Sequence, residues 1–457
     1  YVTASNSGQL LQSITEKGSD GTSTLPPTRF DYKPETKSFQ ELTPPWLEHA
    51  GVDAHLEKNN VTLADVNGDS LLDIIKTESN GSYWDVLINQ GNSWSTQWSR
   101  WGNGVSGAYG LDSTEMRLTD VTGDNLPDIV RTHYFSGDWV DWMVWRNTGT
   151  SWNTQPEYWQ DGSHRIGEMH LDLPNVALTD VNGDGLADIV YSVNHSHWFV
   201  YLNTGNNNWS SAQTWASSLN AKLGDANTRF MDVTGDGLPD IIKTSYTGTN
   251  VTWQIFKNTG NSWNTSPDTW ISSGNTLDAH LEQDSVTLSD VNGDGLVDIV
   301  KTVVSGSNDI WKVLYNKGDG WSTSYETWLD DANIDADLPN DNVEFMDVTG
   351  DGLPDIVKGT ADCSCSEDTW KVWKNNSKAS HLLQTIYSPQ GGTTKFDYTS
   401  SALFDNTGPD SGSDLPFSLW VVDKMTVNNG MTNSHQTNDI TTYSYQNGLY
   451  DSGDKEF

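Results

Sequence analysis

The chain has 457 residues and a formal charge of −37, from 62 acidic and 25 basic side chains. That balance disfavours a nucleic-acid partner, which needs clustered Lys and Arg. No run of about 20 apolar residues occurs, so nothing reads as a transmembrane segment. With 22 Trp, 40 Gly and little helical periodicity, the composition indicates an all-β chain rich in turns.

In chain order, Leu10-Leu11-Gln12-Ser13-Ile14 and Phe30-Asp31-Tyr32 read as a strand, a Gly-containing turn and a returning strand. Residues 37–47 follow, with Phe39 and Trp46 seven positions apart. Then comes Asp65-Val66-Asn67-Gly68-Asp69-Ser70-Leu71-Leu72-Asp73, the first of six acidic loops. The others are Asp120–Asp128, Asp180–Asp188, Asp232–Asp240, Asp290–Asp298 and Asp347–Asp355. Each has Asp at loop positions 1, 5 and 9, Asn or Thr at 3, Gly at 4 and Leu at 7.

The first loop positions step by 55, 60, 52, 58 and 57 residues, a period that indicates repeated units of about four short strands, as in a β-propeller. In the fifth unit the strands are expected at Ser285–Ser289, Val297–Val303 and Trp311–Tyr315. After the Asn316-Lys317-Gly318 turn, a fourth runs from near Trp321 to near Trp328. The Asn-x-Gly turn with a following Trp recurs at Asn89/Trp94, Asn147/Trp152, Asn203/Trp209 and Asn258/Trp263, and these rings are expected to pack between units.

The copies alternate. The first, third and fifth loops read Asp-Val-Asn-Gly-Asp. The second, fourth and sixth read Asp-Val-Thr-Gly-Asp and carry Pro127, Pro239 and Pro354 before the last Asp. His55, His170 and His280 each stand ten residues before the first loop Asp, in the odd copies alone. The expectation is six blades with pseudo-threefold symmetry. The three histidines either satisfy local hydrogen bonds or converge on a transition metal. The sixth unit lacks a fourth strand of its own after Trp373-Lys374-Asn375, and residues 37–47 keep the aromatic spacing of Trp263/Trp270 and Trp321/Trp328. They are expected to supply that strand and to remove an exposed sheet edge.

Cys363 and Cys365 are the two cysteines, either bridged in a tight turn or free in a surface loop. The tail repeats the opening: Leu382-Leu383-Gln384-Thr385-Ile386 and Phe396-Asp397-Tyr398, followed by alternating stretches at Leu419–Val427 and Ile440–Tyr445. The ring is thus expected to be inserted between parts of a second sheet, with segments at 1–36, 37–377 and 378–457.

Hard oxygen donors at alternate positions suit calcium, and three carboxylates this close repel one another unless a cation lies among them. The expected ligands are Asp65, Asn67, Asp69, Asp73; Asp120, Thr122, Asp124, Asp128; Asp180, Asn182, Asp184, Asp188; Asp232, Thr234, Asp236, Asp240; Asp290, Asn292, Asp294, Asp298; and Asp347, Thr349, Asp351, Asp355. Up to six Ca2+ ions would be held, in a structural role. The competing reading is six Asx-turns that bind nothing. Weak calcium sites fit a secreted or cell-surface setting, where the ion is abundant.

The repeated Asp-Val-Asn-Gly-Asp-Gly-Leu-x-Asp-Ile-Val resembles FG-GAP/VCBS repeats of integrin-like propellers. Leu382–Tyr398, Leu415-Pro416-Phe417 with Val421-Val422, and Thr442-Tyr443-Ser444-Tyr445 through Gly448-Leu449-Tyr450-Asp451 to Lys455-Glu456-Phe457 resemble the middle of Rhs/YD-repeat proteins. Among these are the B component of bacterial Tc toxins and the virulence-plasmid B-type proteins. The resemblance implies a large Rhs shell around a toxic segment, with the propeller as a docking platform and gate towards a pore-forming partner. The chain starts at Tyr1 and ends at Phe457, and is read as a piece of a longer polypeptide.

No Gly-x-Ser-x-Gly, His-Glu-x-x-His or phosphate-loop motif is present, so the chain reads as a binding module, not an enzyme. The first function is protein docking in a toxin-like assembly or with the remainder of an Rhs shell. The alternative is an adhesin or lectin-like module that binds glycans through its tryptophans. A hydrolase or lyase site built from distant residues in a channel is a third class.

Overall fold

The computed structural model describes the chain apart from residues 1, 4–8, 34–36, 51–53, 79–80, 82, 104, 106, 136–138, 160–168, 249, 272–277, 332–333, 335, 341, 362–366, 378–381, 402–403, 405–419, 432–434 and 447–457. Cys363, Cys365, Leu415-Pro416-Phe417 and Gly448–Phe457 therefore lie outside the described residues. The protein is all-β, and no α-helix occurs among the described residues.

Each acidic loop joins the first two strands of one antiparallel sheet. The second strand always opens on the Asp at loop position 9: Asp73–Thr77, Asp128–Phe135, Asp188–Val193, Asp240–Tyr246, Asp298–Ser305 and Asp355–Ala361. The first five sheets each have four strands in sequence order. In the fifth these are Val286–Ser289, Asp298–Ser305, Asn308–Leu314 and Glu326–Asp331. The fourth strand thus starts later than Trp321. That residue instead bridges back to Asn316 to close the Asn-x-Gly turn, and only Trp328 lies on the strand.

The sixth sheet draws on both ends of its stretch of chain. Its third strand, Glu367–Asn375, pairs antiparallel with Phe39–Glu41 (Trp373 opposite Glu41, Asn375 opposite Phe39). The same strand pairs further along with Leu47–Ala50 (Trp370 opposite Leu47). Phe39 then packs on Trp311, Trp328 and Phe345, with ring centroids 6.0, 5.9 and 6.0 Å away.

The apolar side chains that alternate along these strands meet between neighbouring sheets rather than in one central core. One cluster joins Trp142 and Val144 of the second sheet to Ile189 and Trp209 of the third, and another joins Trp46, Trp370 and Val372 to Ile74 and Trp94. Trp84, Trp142, Trp198, Trp253, Trp311 and Trp370 occupy the same place in the six sheets and are fully buried. No tryptophan whose side chain is described is exposed.

The two flanks share one further sheet. Its order is Ser13–Ile14, Thr28–Tyr32, Leu383–Tyr387, Thr393–Ser400, Trp420–Asn428 and Asn438–Thr442. The sequence likeness of the flanks has a physical counterpart: the Tyr32 hydroxyl donates to the Leu11 carbonyl (3.0 Å), and the matching Tyr398 hydroxyl to the matching Leu383 carbonyl (2.9 Å).

Candidate metal sites in the repeated loops

The loops close on their own carboxylates. Gly68, Gly123, Gly183, Gly235, Gly293 and Gly350, at loop position 4, all have φ between +69° and +78°. This conformation favours glycine because it lacks a Cβ. In the first loop, Asp65 accepts the amides of Gly68 (2.8 Å) and Asp69 (3.2 Å) on Oδ1 and of Ser70 (2.6 Å) on Oδ2. Asp69 Oδ1 accepts Leu71 N at 2.9 Å.

The Asp at position 9 has a structural task. One oxygen accepts the amide of the Val at loop position 2 at 3.2–3.3 Å in all six sheets. The other accepts the amide of Asn89, Asn147, Asn203, Asn258, Asn316 or Asn375 at 2.7–2.9 Å. These asparagines were legible as turn residues, but not as hubs between sheets. Each sends its side-chain Nδ2 to the loop-Val carbonyl of the preceding sheet: Asn147 to Val66, Asn203 to Val121, Asn258 to Val181, Asn316 to Val233 and Asn375 to Val291, all at 2.8–2.9 Å. Asn89 of the first sheet donates to Val348 of the sixth at 2.9 Å.

Burial, with repulsion from neighbouring carboxylates, raises the aspartates at several loop positions above their ordinary range. Burial, then the adjacent Asp69 carboxylate, pushes Asp65 up to about 6. Asp120, Asp290 and Asp347 reach about 6 for the same two reasons. At position 9 burial raises Asp240 to about 6, Asp128 and Asp188 to about 7 and Asp355 to about 8, while Asp73 and Asp298 stand well above the ordinary carboxylate range. In each position-9 case the neighbouring loop aspartates add to the rise.

Among the described residues, no group of three or more His, Cys, Asp or Glu is drawn together into a metal-holding cluster. The loop oxygens face backbone amides instead. Each carboxylate oxygen has a second lone pair, so this all-oxygen donor set fits a hard cation that shares them with the amides.

The histidines stay apart, each beside an acid two residues on. His55 Nδ1 is 3.8 Å from Glu57, His280 Nδ1 is 3.4 Å from Glu282, and His170 pairs with Asp172. His280 also stacks on Tyr246 at 4.8 Å. Among the described residues the three do not gather into one group, and of the three only His170 has a hydrogen-bonded acid, since Nδ1 of His55 and of His280 is buried without a hydrogen-bond partner.

A cavity of about 780 Å³ lies where the sixth loop meets the flanking sheet. It is lined by Pro45 and Trp46, by Asp351 and Lys374, and by Tyr398 and Trp420.

Residues 322–457 match the family model of the insecticide toxin TcdB middle/N-terminal region, and residues 180–243 match an FG-GAP-like repeat. No match among curated proteins was found. In fold the chain is similar to a mutant Photorhabdus luminescens Tc holotoxin pore (TM-score 0.67, 18% identity) and to the TcdB2-TccC3-Cdc42 (0.54, 18%) and TcdB2-TccC3-TEV (0.51, 16%) crystal structures. Each comparison covers 97% of this chain and 20% of the other, so the chain spans about a fifth of the length of those it matches. Its repeats are FG-GAP-like, its last third matches the TcdB middle region, and the chain as a whole is similar to Tc-toxin B-like proteins.

Proposed function

We propose that this chain is a calcium-stabilised, six-bladed propeller with Rhs-like flanks, part of a secreted Tc-toxin-B-like protein. It would serve as a docking and gating platform in toxin assembly or translocation, without catalysis of its own. The propeller would span residues 37–377, closed by 37–47, with 1–36 and 378–457 belonging to the shell.

The observation that carries the ring is the run of Asn-to-Val hydrogen bonds, which passes from sheet to sheet and returns from the first to the sixth. A second tie supports it: Trp370 of the sixth sheet donates its Nε1 to Ala54, ahead of the first sheet, at 2.8 Å. The same bond links Trp198 to Ala221, Trp253 to Ala279 and Trp311 to Ala336 between successive sheets.

A shell on the flank side is supported by the sheet built from both flanks. Its last strand among the described residues, Asn438–Thr442, is exposed along its whole length and would offer an edge at which further strands can add. The TcdB-region match over 322–457 covers the four C-terminal strands of this sheet together with the acidic loop of the sixth unit.

Calcium would be held by the position 1, 3, 5 and 9 residues of each loop, its charge offsetting the repulsion among the carboxylates. The glycan alternative gains little from the tryptophans at the repeated positions, which are engaged between sheets.

The test is size-exclusion co-migration of the purified chain with the pore-forming protein encoded beside its own gene. Co-migration supports the docking reading. Separate elution with and without calcium would contradict it.

A further inference from the structure

The alternation of Asn and Thr at loop position 3 is matched by a second alternation on another strand. The residue before the hub asparagine is Ile88, Leu202 or Tyr315 in the first, third and fifth sheets. In the second, fourth and sixth it is Arg146, Lys257 or Lys374. A cation therefore accompanies every Thr loop and no Asn loop.

The side chains at position 3 behave differently to match. Asn67, Asn182 and Asn292 each donate Nδ2 to the position-5 carboxylate at 2.9, 2.9 and 3.0 Å. Each also accepts that residue's amide on Oδ1, at 3.1, 3.0 and 2.9 Å. Thr122 and Thr234 place their hydroxyls 3.4 Å from the position-1 carboxylate.

In the sixth loop the protein's own ammonium group reaches the ligands. Lys374 Nζ lies 2.8 Å from Asp351 Oδ2 and 3.4 Å from Thr349 Oγ1. Arg146 and Lys257 are shared with the outer strand, where Glu157 and Asp268 pair with them at 3.0 and 2.9 Å. Both still lie within electrostatic reach of their loops: Arg146 acts on Asp124, and Lys257 is acted on by Asp240 and Asp236. In the fifth sheet the nearby Lys37, over the Tyr315 ring, is paired with Glu326 instead.

We propose that the six loops are two classes of cation site: tight calcium sites at Asp65–Asp73, Asp180–Asp188 and Asp290–Asp298, and weak ones at the three Thr loops, weakest at Asp347–Asp355. The inference rests on the calcium reading above. Affinity in such loops follows ligand charge count and type. A lysine or arginine removes about one unit of negative charge and repels the incoming ion, and a threonine hydroxyl replaces an amide oxygen.

The experiment is isothermal titration of the calcium-free chain with CaCl2, with terbium luminescence as a second readout of site number. Three sites should bind at least about tenfold more tightly than the rest. The double variant Thr349→Asn with Lys374→Met should raise the tight class to four, with folding checked by its unchanged strand signal in circular dichroism. Six equivalent sites, or a double variant that leaves the tight class at three, would overturn the two-class inference and leave calcium binding standing. A titration with no bound ion would overturn both.

Discussion

The Nδ2 of Asn89, in the first sheet, donates to the carbonyl of Val348, in the loop of the sixth, at 2.9 Å. The two residues are 259 positions apart, and the contact repeats at that distance what each other asparagine does with the sheet just before it. Asn89 is 2% exposed, and its amide also reaches Leu72 at 3.1 Å. Replacing it with Ala would strand buried carbonyls, at about 1–3 kcal/mol. Urea unfolding of Asn89→Ala should show that loss, similar in size to that of Asn147→Ala. A neutral Asn89 variant beside a destabilised Asn147 variant would mean that the first and sixth sheets do not depend on each other.

Phe39 should behave as a core residue even though it lies near the start of the chain. It is 9% exposed and fills a site between Trp311, Trp328 and Phe345. Phe39→Ala should cost about 3–5 kcal/mol, the range for emptying a packed aromatic site. Thermal unfolding would show it as a lowered Tm, and an unchanged Tm would place residues 37–47 outside the sixth sheet in solution.

Asp184→Ala should release one calcium ion, because position 5 of the third loop would lose its carboxylate. The ring should persist, since its sheet-to-sheet bonds run through Asn203 and Val181 and do not involve Asp184. Atomic absorption on dialysed protein would count the ions, and an unaltered count would remove Asp184 from the ligand set.

The pH dependence follows from the raised carboxylates. A folded-state pKa above the ordinary 3.8 means that the folded chain holds protons which the unfolded chain releases. For the calcium-free protein this contribution is fully present below about pH 4. It is lost as pH rises through the values near 6 at Asp65 and near 8 at Asp355. Tm measured in chelator should therefore fall between pH 5 and pH 8, and the gain on adding calcium should grow over the same interval. A chelated Tm that rises across this window would contradict the direction.

Much of the architecture was legible because each loop marks a fixed place in its unit. Asp at position 9 begins a strand every time, and the Asn-x-Gly turn follows the third strand in the first five sheets. The end of the chain's first fifty residues was legible through aromatic spacing, since Phe39 and Trp46 occupy the buried sites that spacing implied. The start of the fourth strand was not. Trp321 looks like a strand residue, but it caps a turn by bonding its Nε1 to Val297 at 3.3 Å. The amide-accepting role of the position-9 aspartates was also hidden, because an Asp that holds backbone amides and one that would bind a cation carry the same letter. The Arg146, Lys257 and Lys374 series became visible only when the third strand was laid beside the loop.

The most direct measurement is differential scanning calorimetry of the purified chain with millimolar calcium and again with excess chelator at pH 7.5. An ion that binds only the folded form raises Tm by mass action. The expected result is a transition several degrees higher with calcium, returning to the higher value when the ion is restored. Superimposable scans would mean that the loops hold themselves closed through backbone amides alone.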